Sequence, residues 1–358
     1  MGEEKIVALI QESLNVATRT GATKPSDFTK IIVDTTVQPK AVAFPTDAKL
    51  LHRAREKLVR LAKKHGLALR QSYECVGKRA LIMHQRYAHA KQFRRANKAL
   101  KILRTYLGRV IRDIRRKIAD DEGKEAAFAQ MLSLAHSVRH QQQRQRGKKI
   151  YSLHAPEVEC IGKGKAHKPY EFGVKVSIAT TLDHSKGGQF IAHAKALPGN
   201  PYDGHTLAAV IPDIEQQIGA TIKRLVADKG YRGHNAPEDY RYRIYISGQK
   251  RGVTDAIKRD LKRRSAVEPV IGHAKSDHRM DRNYLAGSKG DATNAILAAA
   301  GYNFRRLLVW LRTFLRLWIA AMSKPLIAPT LMKPECVFFT GDTPRRAVQS
   351  SRSRSYCS

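Results

Sequence analysis

Cysteine is scarce in this sequence. The 358 residues hold four, at positions 75, 160, 336 and 357, and no two stand in C-x-x-C spacing, which argues against a zinc ribbon and against a secreted disulfide framework. A signal peptide is missing too: the chain opens MGEEKIVALIQESLN, without a basic start or a long apolar core. No apolar run is long enough for a membrane span. The longest, residues 307–322, is interrupted by Arg312, Thr313 and Arg316 and suits an amphipathic helix better. Internal repeats are absent, as is any aromatic strand of the kind an RNA-recognition module stacks bases on. Acidic residues are few, 31 against 66 Lys and Arg, for a formal charge of +35. A compact chain so basic repels itself unless a polyanion neutralises it, which makes nucleic acid the default partner and an anionic membrane surface the second candidate.

What is present is enough for a core. At 42% hydrophobic residues the chain is not disordered throughout, and its length suits one large domain or two ordinary ones. Together these features predict a soluble cytoplasmic protein that handles DNA or RNA and has no membrane segment.

Residues 1–26 read as one short helix and a polar linker. In KIIVDTTVQ, at 30–38, Ile31, Ile32 and Val33 form the β-branched run of a buried strand, and Asp34 ends that run at the strand's exit. Residues 46–118 read as helical and basic. Leu100, Leu103, Leu107, Ile111, Ile114 and Ile118 recur at three- and four-residue steps, giving one apolar face. Arg and Lys fill the other faces, either as a solvated surface or as one that contacts phosphates. HQQQRQRGKK, at 140–149, is a polar joint. The period then changes. Phe172, Val174, Val176 and Ile178 alternate as on a half-buried strand, Lys186, Gly187 and Gly188 make a hairpin turn, and 190–197 returns. Leu207, Val210, Ile211, Ile214 and Ile218 mark an amphipathic helix. Residues 222–227 are a second apolar run that ends on an aspartate, Asp228, and 243–246 is a short strand. Thr254 opens a long helical region to about 275, and 294–322 is a further helix.

Three carboxylates stand out. Asp34 and Asp228 each directly follow a buried-looking strand, and Glu268 lies close to Arg263 and Arg264 in the last helical region before the C-terminal part. Strand-end carboxylates tend to converge at one sheet edge, and a glutamate on a covering helix can reach the same edge. Three together make an oxygen-only site suited to Mg²⁺ or Mn²⁺; two such ions about 4 Å apart activate a water and stabilise the leaving oxygen of a phosphodiester. Each residue also has an ordinary explanation. Asp34 could start a turn before Thr35 and Thr36, Asp228 lies in the turn sequence DKG, and Glu268 follows Ser265 at capping-box spacing. Pro269 requires the helix to start or kink near Glu268.

Taken in order, VDTTVQ with Asp34, ADKGYRG with Asp228, and RRSAVEPVIGHAK with Glu268 resemble the DDE transposases of bacterial insertion sequences. In the third block Arg264 precedes the glutamate by four residues and Lys275 follows it by seven, as in that family's signature; Leu261 stands where the family usually has tyrosine. DHRMDRNYLAGSKGDATNAILAAAGYNFRRLL is similar as well, and the likeness covers roughly residues 30–318. The resemblance implies an α/β fold: an RNase H-like mixed β-sheet flanked by helices, with a basic helical insertion between the first and second strands. It implies Asp34, Asp228 and Glu268 as catalytic residues and metal ligands for two Mg²⁺ or Mn²⁺ ions. Arg264, Lys275, Tyr231 and Arg232 are the implied DNA contacts.

The implied activity is nicking at the element's ends, followed by attack of the freed 3′-hydroxyl on target DNA. The implied partners are double-stranded DNA, as element ends and target, and a second copy of the chain in a homodimer on DNA, in the bacterial cytoplasm and on the nucleoid. The corresponding division is 1–28, a remnant helix and linker; 29–45, the first catalytic strand; 46–149, the basic helical insertion; 150–322, the rest of the catalytic domain; and 323–358, a disordered tail. The family usually carries a sizeable helical domain ahead of the first catalytic strand. Its place here suggests an N-terminally truncated copy with reduced activity, or a catalytically inactive DNA-binding remnant. A basic RNA-binding protein is the third reading.

Overall fold

A computed structural model of the chain describes residues 3–322 except 144, 163, 165 and 168; the expected disordered tail at 323–358 lies outside the described residues. Ile31, Ile32 and Val33 are fully buried, each worth about 1.5–3 kcal/mol of apolar burial, and they seed the central strand β1 (Lys30–Pro39). β1 is longer than the apolar run. It pairs antiparallel with β3 (Tyr170–Thr181) from Ile31 to Pro39, and parallel with β5 (Arg224–Ala227) only from Lys30 to Val33. Asp34 is therefore in mid-strand against β3, and beyond the end of the pairing with β5.

The sheet runs β4–β3–β1–β5–β6, where β4 is Ile191–Leu197 and β6 is Ile244–Ile246. The first three strands are antiparallel neighbours and the last three parallel ones. A short strand that the periodicity does not signal, β2 (Glu159–Gly162), pairs with the start of β3 on the side away from β1. β3 is buried on both faces from Val176 onward, where alternation predicted one wet face.

On one face of the sheet, α6 (Leu207–Ile218) packs Leu207, Val210, Ile211 and Ile214 on Ile31, Val33, Leu225 and Ala227. On the other lie α1 (Glu3–Arg19), through Ile6, Ile10 and Leu14, α8 (Val267–Ser276), through Val270 and Ala274, and the alanine-rich part of α9 (Gly287–Met322). Between β1 and β2 come four helices: α2 (Asp47–Lys64), α3 (Glu74–His89), α4 (Phe93–Ile118) and α5 (Glu122–His140). They bury Leu51, Leu58, Leu103, Leu107, Ile114 and Phe128 in a cluster of their own. α2 begins where Thr46 caps the backbone N–H of Lys49.

The expected helical region from Thr254 to 275 is divided. α7 (Asp255–Arg263) ends in a 3₁₀ turn at Arg264–Ala266, and α8 restarts at Val267. Pro269 explains the break. In the first turn of α8 its missing N–H removes a donor that would be orphaned anyway, whereas in mid-helix it would cost a hydrogen bond and clash.

The end of β1 is tied to the start of α9 by a buried polar cluster. The Lys40 ammonium lies 2.8 Å from Asp291 and 2.9 Å from Glu157. Asn283 donates to Asp291, and Gln38 donates to the Asp291 carbonyl. Residues 1–313 form one compact unit; the second unit begins at Phe314 and is described only through the last turns of α9. Among the described residues, no helix is long and apolar enough to cross a membrane.

Candidate active site

The parallel register of β1 and β5 places two of the expected residues side by side. Val33 stands beside Ala227, and the backbone at Asp228 is still extended, so Asp34 and Asp228 are the next neighbours, about 4.8 Å apart strand to strand. Ile32 and Val226 pack on Val267 of α8. Two residues farther along their strands, Asp34 and Asp228 fall on that same face. Burial pushes the Asp34 carboxyl up to about 6, and the charges of Asp228 and Asp203 add to it; the Thr35 N–H, 2.8 Å from Asp34 Oδ1, and the Arg264 guanidinium oppose them. Like-charge repulsion is thus present, but burial is the larger cause. Asp228 also has the local role its DKG sequence suggested, because its Oδ1 accepts from the Gly230 N–H at 3.2 Å.

Sequence reasoning misses Asp203. It opens the turn before α6, where its Oδ1 accepts from the Thr35 hydroxyl and from the Lys175 ammonium, both at 2.9 Å. Lys175 projects from β3 and also donates to the Pro201 carbonyl at 2.7 Å. Asp203 and Thr35 are 168 residues apart, so no spacing could have joined them. The available signal was an acid alone in a Pro/Gly loop, PGNPYDGH, ahead of an amphipathic helix.

Glu268 sits in the first turn of α8, where its side chain is 65% exposed. It reaches the aspartates only through Arg264. That guanidinium, 17% exposed, stands 3.5 Å from Asp34 on one side and 3.5 Å from Glu268 on the other. The neighbouring Arg263 donates to the Leu182 carbonyl and fastens the turn to the sheet. Ser265 forms no capping box with Glu268; its hydroxyl donates to the Lys262 carbonyl.

Residues 228–308 match the family of the transposase DDE domain. That segment is similar to a transposase DDE domain. It begins on Asp228 and contains Tyr231, Arg232, Arg264, Glu268 and Lys275; Asp34 lies outside it and comes to it through the β1–β5 register. A protein of Rhizobium meliloti described as "Uncharacterized protein ORF8 in nfe locus" is 48% identical over 93 residues, 26% of this chain and 45% of that protein. The chain thus spans less than half of that relative's length. No solved structure matches.

The remaining expected residues take different places. Arg232 is exposed and Lys275 half-buried on α8. Tyr231, expected as a DNA contact, is a correction: it is 1% exposed in the core against α6, and offers DNA no surface. Burial, with the charges of Asp34, Asp203 and Asp228 facing it, raises its hydroxyl well above the usual tyrosine range. It is a wall of the acidic site.

The expected three-carboxylate metal set is not gathered. Among the described residues no three His, Cys, Asp or Glu side chains stand together closely enough to hold an ion, because Arg264 occupies the space between Asp34 and Glu268. The donor chemistry nonetheless suits a hard divalent cation. Asp34 and Asp228 present carboxylate oxygens on adjacent strands, and the half-buried Asp34 has one weak cationic contact at 3.5 Å to offset its charge.

Proposed function

We propose that the chain is a DDE-type transposase that nicks DNA at the ends of an insertion sequence and transfers the strand, with Mg²⁺ or Mn²⁺ held by Asp34, Asp228 and Glu268 on an RNase H-like sheet. The observation that carries this reading is the juxtaposition of Asp34 and Asp228 as register neighbours on the face that α8 covers, in a domain matched to the transposase DDE family from Asp228 onward. Bound divalent ions would supply activation of the attacking oxygen and charge neutralisation at the leaving one. The chain's own residues do the rest. Asp34 and Asp228 would hold the ions, with Glu268 as the third carboxylate if Arg264 gives up its place between them. Arg264 then turns to a phosphate beside the scissile bond, with Lys275 and Arg232 on flanking ones. Lys175 neutralises Asp203 and keeps that fourth carboxylate out of the ligand set. The cationic faces of α2–α5 hold duplex DNA, two copies of the chain act on the paired ends, and the protein works in the bacterial cytoplasm on the nucleoid.

Nicking of a supercoiled plasmid carrying the element's ends tests this. Asp34→Asn and Asp228→Asn should each lower the Mg²⁺-dependent rate by at least about 100-fold, since several kcal/mol of charge stabilisation are lost, while circular dichroism stays native. Asp34→Asn should also raise the melting temperature without metal, because it removes a buried charge among like charges. Undiminished nicking by Asp34→Asn overturns the assignment. The bridging position of Arg264 favours one second reading, a DNA-binding remnant without catalysis; a wild-type chain that binds DNA but nicks with neither ion would establish it.

A further inference from the structure

A second cationic site lies in the helical part of the chain. The segment before α3 runs beside α4 and leaves a cleft of about 520 Å³ lined by Arg70, Tyr73, Arg109, Arg112, Arg115 and Arg116. Arg109, Arg112 and Arg116 fall at helical spacing on one face of α4, and all five arginines are exposed. The one acidic residue that lines the cleft, Asp113, is already committed. Buried at the base of the cleft, it accepts from the Arg70 N–H at 2.8 Å and lies 3.4 Å from Arg116 and 3.7 Å from Lys117. Among the described residues Arg109, Arg112 and Arg115 make no ion pair, so the cleft keeps an unneutralised cluster of guanidinium groups.

Tyr73 shapes the other wall. Its backbone is left-handed, φ +53°, a conformation that is strained for a bulky residue and that persists where the surroundings over-determine it, commonly at ligand sites. Its ring stacks on Tyr106 at 4.6 Å and carries the Arg109 guanidinium 5.9 Å from its centroid. With its ring so engaged, Tyr73 gives a base no open platform to stack on. It holds Arg109 in place instead. The chemistry offered is therefore charge and guanidinium forks, which suit phosphate oxygens.

We propose that this cleft is a seat for the phosphodiester backbone of DNA, built wholly within residues 70–116 and independent of sequence. The inference rests on the reading of the chain as a DNA-processing enzyme. It deepens that reading by naming, among the cationic faces of α2–α5, the one cleft that seats the backbone.

The test uses the full chain and a random-sequence duplex, titrated by fluorescence anisotropy between 50 and 300 mM salt, conditions chosen to span the steep range. The triple variant Arg109→Ala, Arg112→Ala, Arg116→Ala should bind at least about tenfold more weakly at 100 mM salt, and its log–log salt slope should fall by about 0.9 for each phosphate that is no longer neutralised. A control triple, Arg94→Ala, Lys98→Ala, Lys101→Ala, removes as many exposed cations from the first half of the same helix and should change binding much less. Equal weakening in both triples makes the effect bulk charge and overturns the site, as does an unchanged slope in the first. Thermal melting checks that both triples fold; should the first fail to, Arg112→Ala alone should still lower the slope by about 0.9, the value of one phosphate, and an unchanged slope there overturns the site. Inorganic phosphate that raises the wild-type melting temperature as much as duplex does, at equal phosphate, makes the cleft a small-anion site and overturns the DNA assignment. The two readings fail separately. A nicking enzyme whose two triples bind alike loses only the cleft, whereas a chain that loses affinity in the first triple but never nicks loses only the catalytic assignment.

Discussion

Arg264 decides what the three expected carboxylates can do, because it stands between Asp34 and Glu268 at 3.5 Å from each. Asp34, Asp228 and Glu268 are legible as candidates because two of them follow apolar runs directly and the third follows a basic turn, and the structure puts the two aspartates beside each other. The contact of that guanidinium with Asp34 is not legible, since the resemblance implies Arg264 only as a DNA contact and its i,i+4 spacing pairs it only with Glu268. Nor are Asp203 and Lys175, which meet only through the fold. Tyr231 is misplaced for a related reason: a tyrosine in a GYRG turn gives no sign of which face it will pack against. Another residue on which the sequence is silent is His193, on β4. It is buried, its Nδ1 finds no partner among the described residues, and burial lowers it to about 4. Between that value and the ordinary 6.5 the unfolded chain binds a proton that the folded chain does not. Stability is therefore full above about pH 6.5 and is lost as the pH falls toward 4, by roughly 3 kcal/mol. Urea titrations of wild type and His193→Gln across this range should give a steeper acid loss for wild type; parallel curves would remove His193 as the cause.

The strands show where sequence patterning stops being informative. The alternation at Phe172–Ile178 and the Lys186–Gly188 turn locate β3 and the start of β4, and the apolar runs locate β1 and β5. None of these patterns carries the register, which is non-local and depends on how β1 sits between β3 and β5. The end of β1 is misjudged because Asp34 and Thr35 look like an exit, while pairing with β3 continues to Pro39. β2 and β6 have four and three residues, too few for a period to register. Gly173 is one residue that enforces the pairing: a Cβ there would stand 2.0 Å from the Gln38 carbonyl oxygen, and backbone cannot yield as a side-chain tip can. Gly173→Ala should cost about 1–3 kcal/mol, measured by thermal or chemical unfolding. Because it pries β1 from β3, it should also reduce nicking in the fraction that stays folded. A variant with wild-type stability and rate would show that the sheet absorbs the methyl group without moving Asp34.

At the scale of the whole molecule, the net charge of +35 makes every nucleic-acid measurement depend on ionic strength, so affinities are comparable only at matched salt. The composition announces this, but not how the chain closes on itself. Gln38, Pro39, Lys40 and Ala41 all bond to residues 283–291, and Asn303 of α9 bonds both the N–H and the carbonyl of Ile191 on β4. Both ends of the sheet's antiparallel half are thus secured by the last described helix. Lys40 and Asp291 are 251 residues apart. At the usual ~5–20 residues per second of synthesis, roughly 13–50 s separate their emergence from the ribosome. During that interval the helices α2–α5, whose contacts are mostly local, can fold while the strand that carries Asp34 still lacks its fastening. A chain stopped at residue 280 should accordingly resist protease over α2–α5, leave β1 open to cleavage and nick no DNA; a protected β1 in that fragment would refute the dependence. The timing separates two parts of a newborn molecule: its basic helices can be complete well before the strand that carries Asp34 is fastened in place.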